Sequence, residues 1–322
     1  MTGRAPNVIL GVAEGMSWRE VEPFVVSLRQ TSFAGEVVLF VADLERETIA
    51  GLTAAGVRLQ PMRRLRLLGF GRFVEPYDTR LSRMHHVYPS LIRRLSRLSR
   101  QPALTSARLA AAISVRDVRR FCLYYRHLVA HHDSYANVML TDVRDVVFQS
   151  DPLDFDLGDA VHCFLEDERQ PIAAQPHNRK WVRAAFGDEV LSELANLPVV
   201  CAGVTIGPCE RVLEYLRVMV EFLLELRTQR TGLDQAVHNY VIHQGLVPNV
   251  RLVPNGNPVV ATLGTVPAEE VNAFQGAAVL HQYDRHAALT EALRRRYAAS
   301  TAAPTTPRTD RRPAKPPSAP GS

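Results

Sequence analysis

Lysine is nearly absent from this chain of 322 residues, and so are the short motifs that would assign a function directly. Lys180 and Lys315 are the only lysines, so arginine carries almost all of the net charge of +5. No Gly-x-x-x-x-Gly-Lys-Ser/Thr phosphate loop and no Gly-x-Gly-x-x-Gly turn occurs. Gly-x-Ser-x-Gly and His-Glu-x-x-His are also missing. The chain therefore lacks the residues on which the chemistry of P-loop hydrolases, dehydrogenases, serine hydrolases and zincin metalloproteases depends.

Cysteine and long apolar runs are scarce as well. The four cysteines, at positions 122, 163, 201 and 209, form no Cys-x-x-Cys pair and lie in or beside apolar segments. We therefore expect reduced core residues and assign them no chemistry. No run of 18 apolar residues occurs, and the residues before Val8 lack the apolar stretch of a signal peptide. These absences lead us to expect a cytoplasmic protein.

The composition is that of a globular protein, with 46% hydrophobic and 22% charged residues. The length fits one large or two small domains, and we place a single domain at residues 1–299. Residues 300–322 are rich in Pro, Ala, Ser, Thr and Arg and poor in large apolar side chains, so we predict a disordered tail there.

Strands and helices are predicted to alternate near the N-terminus. The predicted elements are, in chain order, strand Val8–Val12, helix Trp18–Gln30, strand Glu36–Val41, helix Glu45–Ala54 and strand Val57–Leu59. This order indicates an α/β fold with a mostly parallel, Rossmann-like sheet flanked by helices. In such sheets ligands bind beyond the carboxyl ends of the strands, and the first such end begins at Gly11. We therefore predict that Gly11 contacts a nucleotide.

An apolar run carries two aspartates into a loop at residues 138–148 (VMLTDVRDVVF). Val138–Leu140 is predicted as a buried strand, with Asp142 and Asp145 at its carboxyl edge. Magnesium and manganese prefer oxygen ligands, and magnesium is typically held by one or two carboxylates together with substrate phosphates. The alternative is an acidic turn in which the two aspartates cap a helix or pair with Arg144.

Arginine is concentrated ahead of this loop. Residues 63–100 contain ten arginines against Glu75 and Asp78, a composition that can meet an anionic membrane surface, a polyanionic or lipid-linked acceptor, or nucleic acid. No motif supports nucleic acid, so we expect none; a solvated basic face is the alternative. The next predicted helix, at about residues 114–130, carries Arg120, whose guanidinium fork suits a diphosphate.

Five segments of this chain resemble the nucleotide-diphospho-sugar transferases of the GT-A glycosyltransferase type. Together they span most of residues 8–285, and they are Val21–Arg29, Arg120–Gln149, Cys201–Gly207, Asp234–Asn239 and Val279–Asp284. The resemblance implies a single GT-A-like domain, a metal-dependent enzyme and a nucleotide-diphosphate sugar as donor substrate. A UDP-sugar is the expected donor.

The resemblance also implies roles for individual residues. A Mn²⁺ or Mg²⁺ ion would be bound chiefly by Asp145, with Asp142 and His281 as further ligands. The implied donor-binding residues are Arg120, Asp142, Arg144, Gly203 and Gln235. GT-A enzymes typically carry Asp-x-Asp, whereas this chain has Asp-x-x-Asp, and residues three apart in an extended chain point to opposite faces. Both aspartates can face one ion only if the loop turns; otherwise Asp142 reaches the ribose or the second shell of the metal. His281 could instead be a structural, hydrogen-bonded histidine.

Three carboxylates are candidates for activating an acceptor hydroxyl: Asp234, Glu166 and Asp167. Glu166 and Asp167 follow the apolar segment 160–165 and so lie at another strand end, although an ordinary solvated turn is the alternative. Asp234 could instead be the N-cap of a helix that runs to about His243. Gly203 allows close approach of backbone to the donor sugar or marks a bulge.

We therefore predict a metal-dependent glycosyltransferase that moves a sugar from a nucleotide-diphosphate sugar to a hydroxyl of a carbohydrate, a lipid-linked molecule or a small molecule. A sugar-nucleotidyltransferase would share the fold and the metal, but it would be expected to carry a lysine in its phosphate loop, and residues 11–18 have none. A non-catalytic basic adaptor would bind membrane or nucleic acid through residues 63–100. For the enzyme, the same basic region predicts a peripheral contact with the inner face of an anionic membrane.

Overall fold

The computed structural model describes residues 5–62, 87–226, 232–274 and 276–298. The strands in these ranges are β1 (Val8–Glu14), β2 (Glu36–Ala42), β3 (Arg58–Pro61), β4 (Asn137–Thr141), β5 (Val146–Phe148), β6 (Val161–Leu165), β7 (Val200–Pro208), β8 (Val250–Val253), β9 (Val260–Thr262) and β10 (Val279–His281). The helices are α1 (Trp18–Arg29), α2 (Arg46–Ala54), α3 (Val87–Ser96), α4 (Pro102–Ile113), α5 (Arg116–His131), α6 (Pro176–Phe186), α7 (Asp188–Leu194), α8 (Cys209–Glu225), α9 (Leu233–His243) and α10 (Ala287–Ala298).

Seven strands form the main sheet, in the order β3-β2-β1-β4-β7-β6-β8. The pairs β1 with β2, β1 with β4, β2 with β3 and β6 with β8 are parallel. Strand β7 runs antiparallel to both of its neighbours, β4 and β6. The α/β class and the mostly parallel sheet predicted from the sequence are therefore confirmed.

Helices cover both faces of this sheet, and the side chains of β1 show how. Val8 and Leu10 pack into one core with Phe121 of α5, whereas Ile9 packs into the opposite core with Phe24 of α1. All five of these side chains are buried. Successive residues of a strand point to opposite faces, so an uninterrupted apolar run is what a strand buried on both faces requires.

A second, three-stranded sheet has the order β5-β10-β9 and fixes the loop that carries the two aspartates. Strand β5 pairs antiparallel with β10, and this register sets His281 opposite Val146. The backbone N–H of Gln282 donates to the carbonyl of Asp145 at 2.8 Å. Residues separated by more than 130 positions in the chain are therefore held side by side.

The element boundaries differ from the sequence predictions by a few residues. Strand β1 extends to Glu14, and β4 begins at Asn137. Helix α9 begins at Leu233 after Gly232, which has φ of 85°, so Asp234 lies in the first turn and is not the N-cap. Helix capping therefore does not explain why an aspartate lies at position 234.

Some sequence predictions concern residues outside the described ranges. These are residues 63–86 of the basic region and the tail at residues 300–322. The four cysteines are free and buried, as expected. Among the helices in the described part of the chain, none is long and apolar enough to cross a membrane.

Candidate metal and nucleotide site

Three side chains that can bind a metal ion converge at the carboxyl end of β4. Asp142, Asp145 and His281 each present one ligand atom, and these atoms all lie within 4.8 Å of one another. The aspartates lie in the turn between β4 and β5, and the histidine ends β10. The turn is what the Asp-x-x-Asp spacing requires, because an extended loop would point the two carboxylates to opposite faces.

The donor set suits a hard divalent cation. His281 is 1% exposed, and its Nε2 atom is buried without a hydrogen-bond partner. This nitrogen lies 3.6 Å from Oδ2 of Asp142, too far for a hydrogen bond. Burial raises the pKa of Asp145, so its ionised form is costly unless a positive charge is nearby. Two carboxylates beside one unpartnered imidazole nitrogen fit Mn²⁺ or Mg²⁺ completed by phosphate oxygens.

Arg120 joins the candidate metal ligand Asp142 to the candidate catalytic residue Asp234. Its Nη1 donates to Oδ1 of Asp142 at 2.5 Å, and its Nη2 donates to Oδ2 of Asp234 at 2.6 Å. Nη2 also donates to the carbonyl of Ala202 at 3.2 Å. Both terminal nitrogens are thus engaged by protein oxygens. The sequence predicted a nucleotide contact for Arg120, and the structure places it as the bridge between two acidic side chains.

The two carboxylates that share Arg120 have different pKa values. Burial raises the pKa of Asp234 to about 6, against the opposing effect of Arg120. Burial also opposes ionisation of Asp142, but Arg120 and His281 together outweigh it and lower the pKa of Asp142 to about 2. As pH rises, Asp142 therefore loses its proton before Asp234 does. Asp234 changes charge at about pH 6, close to the neutral pH at which a general base is most effective.

This difference predicts how Asp234 contributes to the pH dependence of stability. Its pKa is about 6 in the folded chain and 3.8 ordinarily, so between these values the folded state binds more protons than the unfolded state. The contribution of Asp234 to the free energy of unfolding therefore falls as pH rises from about 4 to about 6. Asp234→Asn should remove this slope in urea unfolding measured at pH 4, 5 and 6. Parallel profiles for the two proteins would contradict the prediction.

Gly203 makes room for the candidate metal ligands. Its carbonyl accepts a hydrogen bond from the backbone N–H of Asp142 at 2.8 Å. A Cβ atom at this position would lie 2.5 Å from Nε2 of His281 and 2.9 Å from Oδ2 of Asp142, both far inside van der Waals contact. Within strand β7, the glycine therefore serves close packing of the ligand side chains.

Gly203→Ala is expected to weaken Mn²⁺ binding by roughly tenfold or more, as displacement of groups that orient ligands does in metal sites. Isothermal titration with Mn²⁺ measures this change. Gly207→Ala on the same strand is the matched control, because its Cβ would meet Ala160 and Val161 at 3.0–3.2 Å, away from the ligands. The control should lose stability and keep its Mn²⁺ affinity. Equal Mn²⁺ affinity in the wild type and in Gly203→Ala would contradict the prediction.

A cleft of about 250 Å³ opens onto these side chains. Residues from the predicted site that line it are Arg120, Asp142, Arg144, Asp145, Glu166, Gly203, Asp234, Gln235 and His281. The sequence did not single out Trp181 and Arg285, which also line it. Of these two, only Arg285 carried a usable signal, since it directly follows the segment Val279–Asp284 that resembles the family.

Four predicted site residues are engaged in ways that the sequence did not indicate. Gly11 lies inside β1, where a Cβ would meet the Val143 side chain, and it does not line the cleft. Gln235 anchors strand β7, accepting from Ala202 N–H and donating to the Val200 carbonyl, both at 2.8 Å. Glu166 is 5% exposed, and burial raises its pKa. Asp167 pairs with Arg169 at 2.8 Å, outside the cleft.

A larger cleft of about 820 Å³ lies at the opposite edge of the sheet. It is lined by residues near the amino ends of β1 and β4, including Asn7 and Asn137, and by Asp151 and Asp154. None of the candidate metal ligands reaches it. The smaller cleft is therefore the one that joins the strand ends to ionisable groups.

No protein-family model matches this chain, and no curated protein matches it. Among solved structures, the chain is similar to the bifunctional glycosyltransferase WbbM without ligand, with 12% identity and a TM-score of 0.49 over 87% of this chain and 46% of that one. It is also similar to an active-site mutant of LgtC, with 15% identity and a TM-score of 0.47 over 91% of this chain and 95% of that one. A third similar structure is the galactosyltransferase LgtC in complex with donor and acceptor sugar analogs. The identity is 15% and the TM-score is 0.46, over 92% of this chain and 98% of that one.

This chain spans about 46% of the length of the WbbM chain. All three similar structures are glycosyltransferases, the class that the sequence segments resemble, and the likeness is one of overall fold.

Proposed function

We propose that this chain is a metal-dependent glycosyltransferase that moves a sugar from a nucleotide-diphosphate sugar, with UDP-sugar as the expected donor, to a hydroxyl acceptor. One observation carries the proposal. Asp142, Asp145 and the unpartnered Nε2 of His281 converge at the carboxyl end of a parallel strand, on a cleft also lined by arginines. This placement suits a diphosphate held through a divalent cation.

A Mn²⁺ or Mg²⁺ ion bound by Asp145, Asp142 and His281 would supply positive charge to the leaving diphosphate. Arg144 lies between the two aspartates in the chain, and Arg116 and Arg285 line the same cleft. These arginines are our candidates for phosphate contacts, because the terminal nitrogens of Arg120 are already engaged. Arginine suits this role because its planar fork donates two parallel hydrogen bonds.

Asp234 is our candidate for contact with a substrate hydroxyl. It lines the cleft, and its side chain is 8% exposed and fixed by Arg120. A carboxylate with a pKa of about 6 can accept a proton from a hydroxyl near neutral pH. Glu166 also lines the cleft, and the strand end that carries it is predicted to contribute to acceptor binding.

Ligand-dependent stability tests the proposed function directly. The thermal unfolding temperature is measured with UDP, GDP and CDP, each with Mn²⁺ and with EDTA. A ligand that binds only the folded state raises its stability. We expect one nucleotide, UDP, to raise the unfolding temperature only when Mn²⁺ is present. A nucleotide shift that is the same in EDTA, or no shift with any nucleotide, would contradict the proposed metal-nucleotide site.

We propose in addition that α3 contacts an anionic membrane. Leu91 and Leu95 are 53% and 48% exposed, and Leu98 after the helix is 87% exposed. Arg94 and Arg97 are exposed beside them, whereas Ile92 faces the core. Leucines and arginines along this helix are thus both exposed to solvent. Exposed leucines flanked by arginines suit the interface of an anionic bilayer.

The leucines give this contact a specific test. Replacing Leu91, Leu95 and Leu98 together with serine should lower binding to vesicles of phosphatidylglycerol and phosphatidylcholine by roughly tenfold or more, since each buried methylene contributes about 0.8 kcal/mol. Co-sedimentation measures the binding. Ile49→Ser is the matched control, because Ile49 is a 41% exposed apolar residue on another helix. Unchanged binding of the triple variant would show that α3 is not the contact.

A further inference from the structure

A buried thiol lies against the candidate metal ligand His281. Sγ of Cys201 is 3.5 Å from Nδ1 of the imidazole ring, within hydrogen-bond distance for sulfur. Cys201 is 2% exposed and His281 is 1% exposed, so neither group is hydrated. The other ring nitrogen, Nε2, points toward the aspartates and has no hydrogen-bond partner.

The direction of the hydrogen bond between Cys201 and His281 decides whether Nε2 can bind a metal. If the thiol donated to Nδ1, a neutral ring would carry its proton on Nε2 and could offer no lone pair there. If the Nδ1–H donates to the sulfur, Nε2 is left free to act as a ligand. A neutral imidazole binds metal through one nitrogen, and the hydrogen bond at the other nitrogen selects which one.

Glu166 provides the acceptor that the thiol hydrogen needs. Its carboxyl lies close enough to the Cys201 thiol and the Gln175 side chain for both to favour its ionised form. An ionised carboxylate can only accept, so in that form of Glu166 the thiol donates its hydrogen to the carboxylate and its sulfur remains free to accept from the ring. The order of donation then runs from His281 to Cys201 and from Cys201 to Glu166.

We propose that Cys201 is a positioning residue that holds His281 in the orientation and protonation pattern needed for metal binding, with its own orientation fixed by Glu166. Histidine ligands usually donate their second N–H to a carboxylate, a backbone carbonyl or water. Here a thiol stands between the ring and the carboxylate. The inference rests on the proposed metal site and adds to it a role for Cys201 and Glu166 through the ligand.

The Nε2 end of the ring is also restrained. Gly203 lies close enough that a Cβ there would be 2.5 Å from Nε2. Cys201 and Gly203 are both residues of β7, two positions apart, so this strand packs against the ring at Nδ1 through the thiol and at Nε2 through the glycine. The hydrogen bond with Cys201 and the packing of Gly203 act on different atoms of the ring. The effect of losing each can therefore be measured separately, in variants of Cys201 and of Gly203.

Metal affinity in matched variants is the first test. Cys201→Ala should weaken Mn²⁺ binding, measured by the electron paramagnetic resonance of free Mn²⁺, by about 10- to 100-fold. Cys201→Ser keeps a group that both donates and accepts, and it should recover most of the affinity. Cys163→Ala is the control, because Cys163 is a buried thiol on the neighbouring strand β6 that packs in the apolar core. It should bind Mn²⁺ as the wild type does.

Two results of this experiment would overturn the inference. One is Mn²⁺ affinity of Cys201→Ala equal to that of the wild type. The other is an equal loss in Cys201→Ala and Cys201→Ser, which would show that side-chain volume matters and the hydrogen bond does not. Thermal unfolding of each variant without metal confirms that the chain is folded.

Nitrogen-15 NMR of histidine-labelled, metal-free protein gives a second readout that needs neither metal nor substrate. The spectrum distinguishes rings that carry a proton on Nδ1 from rings that carry one only on Nε2. We expect Nδ1 of His281, assigned with His281→Gln, to be protonated in the wild type. A ring protonated only at Nε2 would overturn the inference.

Failure of the inference and failure of the proposed function are distinguishable. Asp145→Asn is included in the Mn²⁺ measurements. If Asp145→Asn loses Mn²⁺ and Cys201→Ala keeps it, the metal site stands and the role of Cys201 is wrong. If Asp145→Asn binds Mn²⁺ as the wild type does, the proposed metal site is wrong. The NMR spectrum alone then decides the direction of the hydrogen bond between Cys201 and His281.

Discussion

Asp145→Asn is expected to abolish the Mn²⁺-dependent stabilisation by nucleotide while leaving the ligand-free protein at least as stable as the wild type. The two effects have opposite signs for one physical reason. Burial raises the pKa of Asp145, so its negative charge destabilises the folded chain when no cation is bound. Asparagine has nearly the same shape, and it removes both the buried charge and a proposed metal-ligand oxygen.

The size of the effect follows from mass action. A ligand present at one hundred times its Kd stabilises the folded state by about 2.7 kcal/mol, and this gain should disappear in Asp145→Asn. Transfer activity should fall by roughly two to three orders of magnitude, since a metal contributes several kcal/mol of charge stabilisation and each 1.4 kcal/mol or so is tenfold. Calorimetry with and without Mn²⁺ and UDP measures the stability.

Asp167→Asn is the control for Asp145→Asn. Asp167 is also buried at a strand end, but it pairs with Arg169 and lies outside the cleft. Its loss should lower the stability of the ligand-free protein and leave the nucleotide-dependent gain intact. A variant Asp145→Asn that loses ligand-free stability and keeps the Mn²⁺-dependent gain would show that Asp145 has a structural role only.

Local sequence patterns were sufficient for the first half of the sheet. The uninterrupted apolar run at β1 and the periodic apolar residues of α1 depend only on neighbours along the chain, and both elements lie where predicted. The candidate site depends on distant pairs. Arg120 meets Asp142, 22 residues away, and Asp234, 114 residues away. No periodicity encodes such partners, because they follow from strand order and from the antiparallel direction of β7.

The sequence was least informative where a residue has two chemically reasonable uses. Arg120 suits a phosphate as well as a carboxylate, and only the folded chain shows that it faces two aspartates. Cys201 looked like an apolar core residue by composition, and its contact with His281 depends on the pairing of β5 with β10. The exposed leucines of α3 illustrate the same limit, because periodicity alone does not tell which side of a helix meets the core.

Arg120→Met should be the most destabilising of the substitutions considered for this chain. It removes the guanidinium that contacts both Asp142 and Asp234, and leaves the buried carboxylate of Asp234 and the partly exposed carboxylate of Asp142 without it. Breaking a buried ion pair by removing one partner costs about 3–5 kcal/mol. Arg126, an exposed arginine of the same helix, provides the control, and Arg126→Met should change the free energy of unfolding by no more than about 0.5 kcal/mol. Urea unfolding at pH 7 measures both.

Two features distinguish this loss from a simple packing defect. Without Arg120 the pKa values of both aspartates should rise, so acid relieves the repulsion and the difference between wild type and Arg120→Met should shrink as pH falls from 7 to 5. The double variant Arg120→Met with Asp234→Asn should be more stable than Arg120→Met alone, because it also removes one of the uncompensated charges. The loss of stability in Arg120→Met could instead be independent of pH, and the effects of Arg120→Met and Asp234→Asn on stability could simply add. That result would mean that Arg120 acts through its aliphatic stem. In that case the link between α9 and the loop that carries the candidate metal ligands would need another explanation.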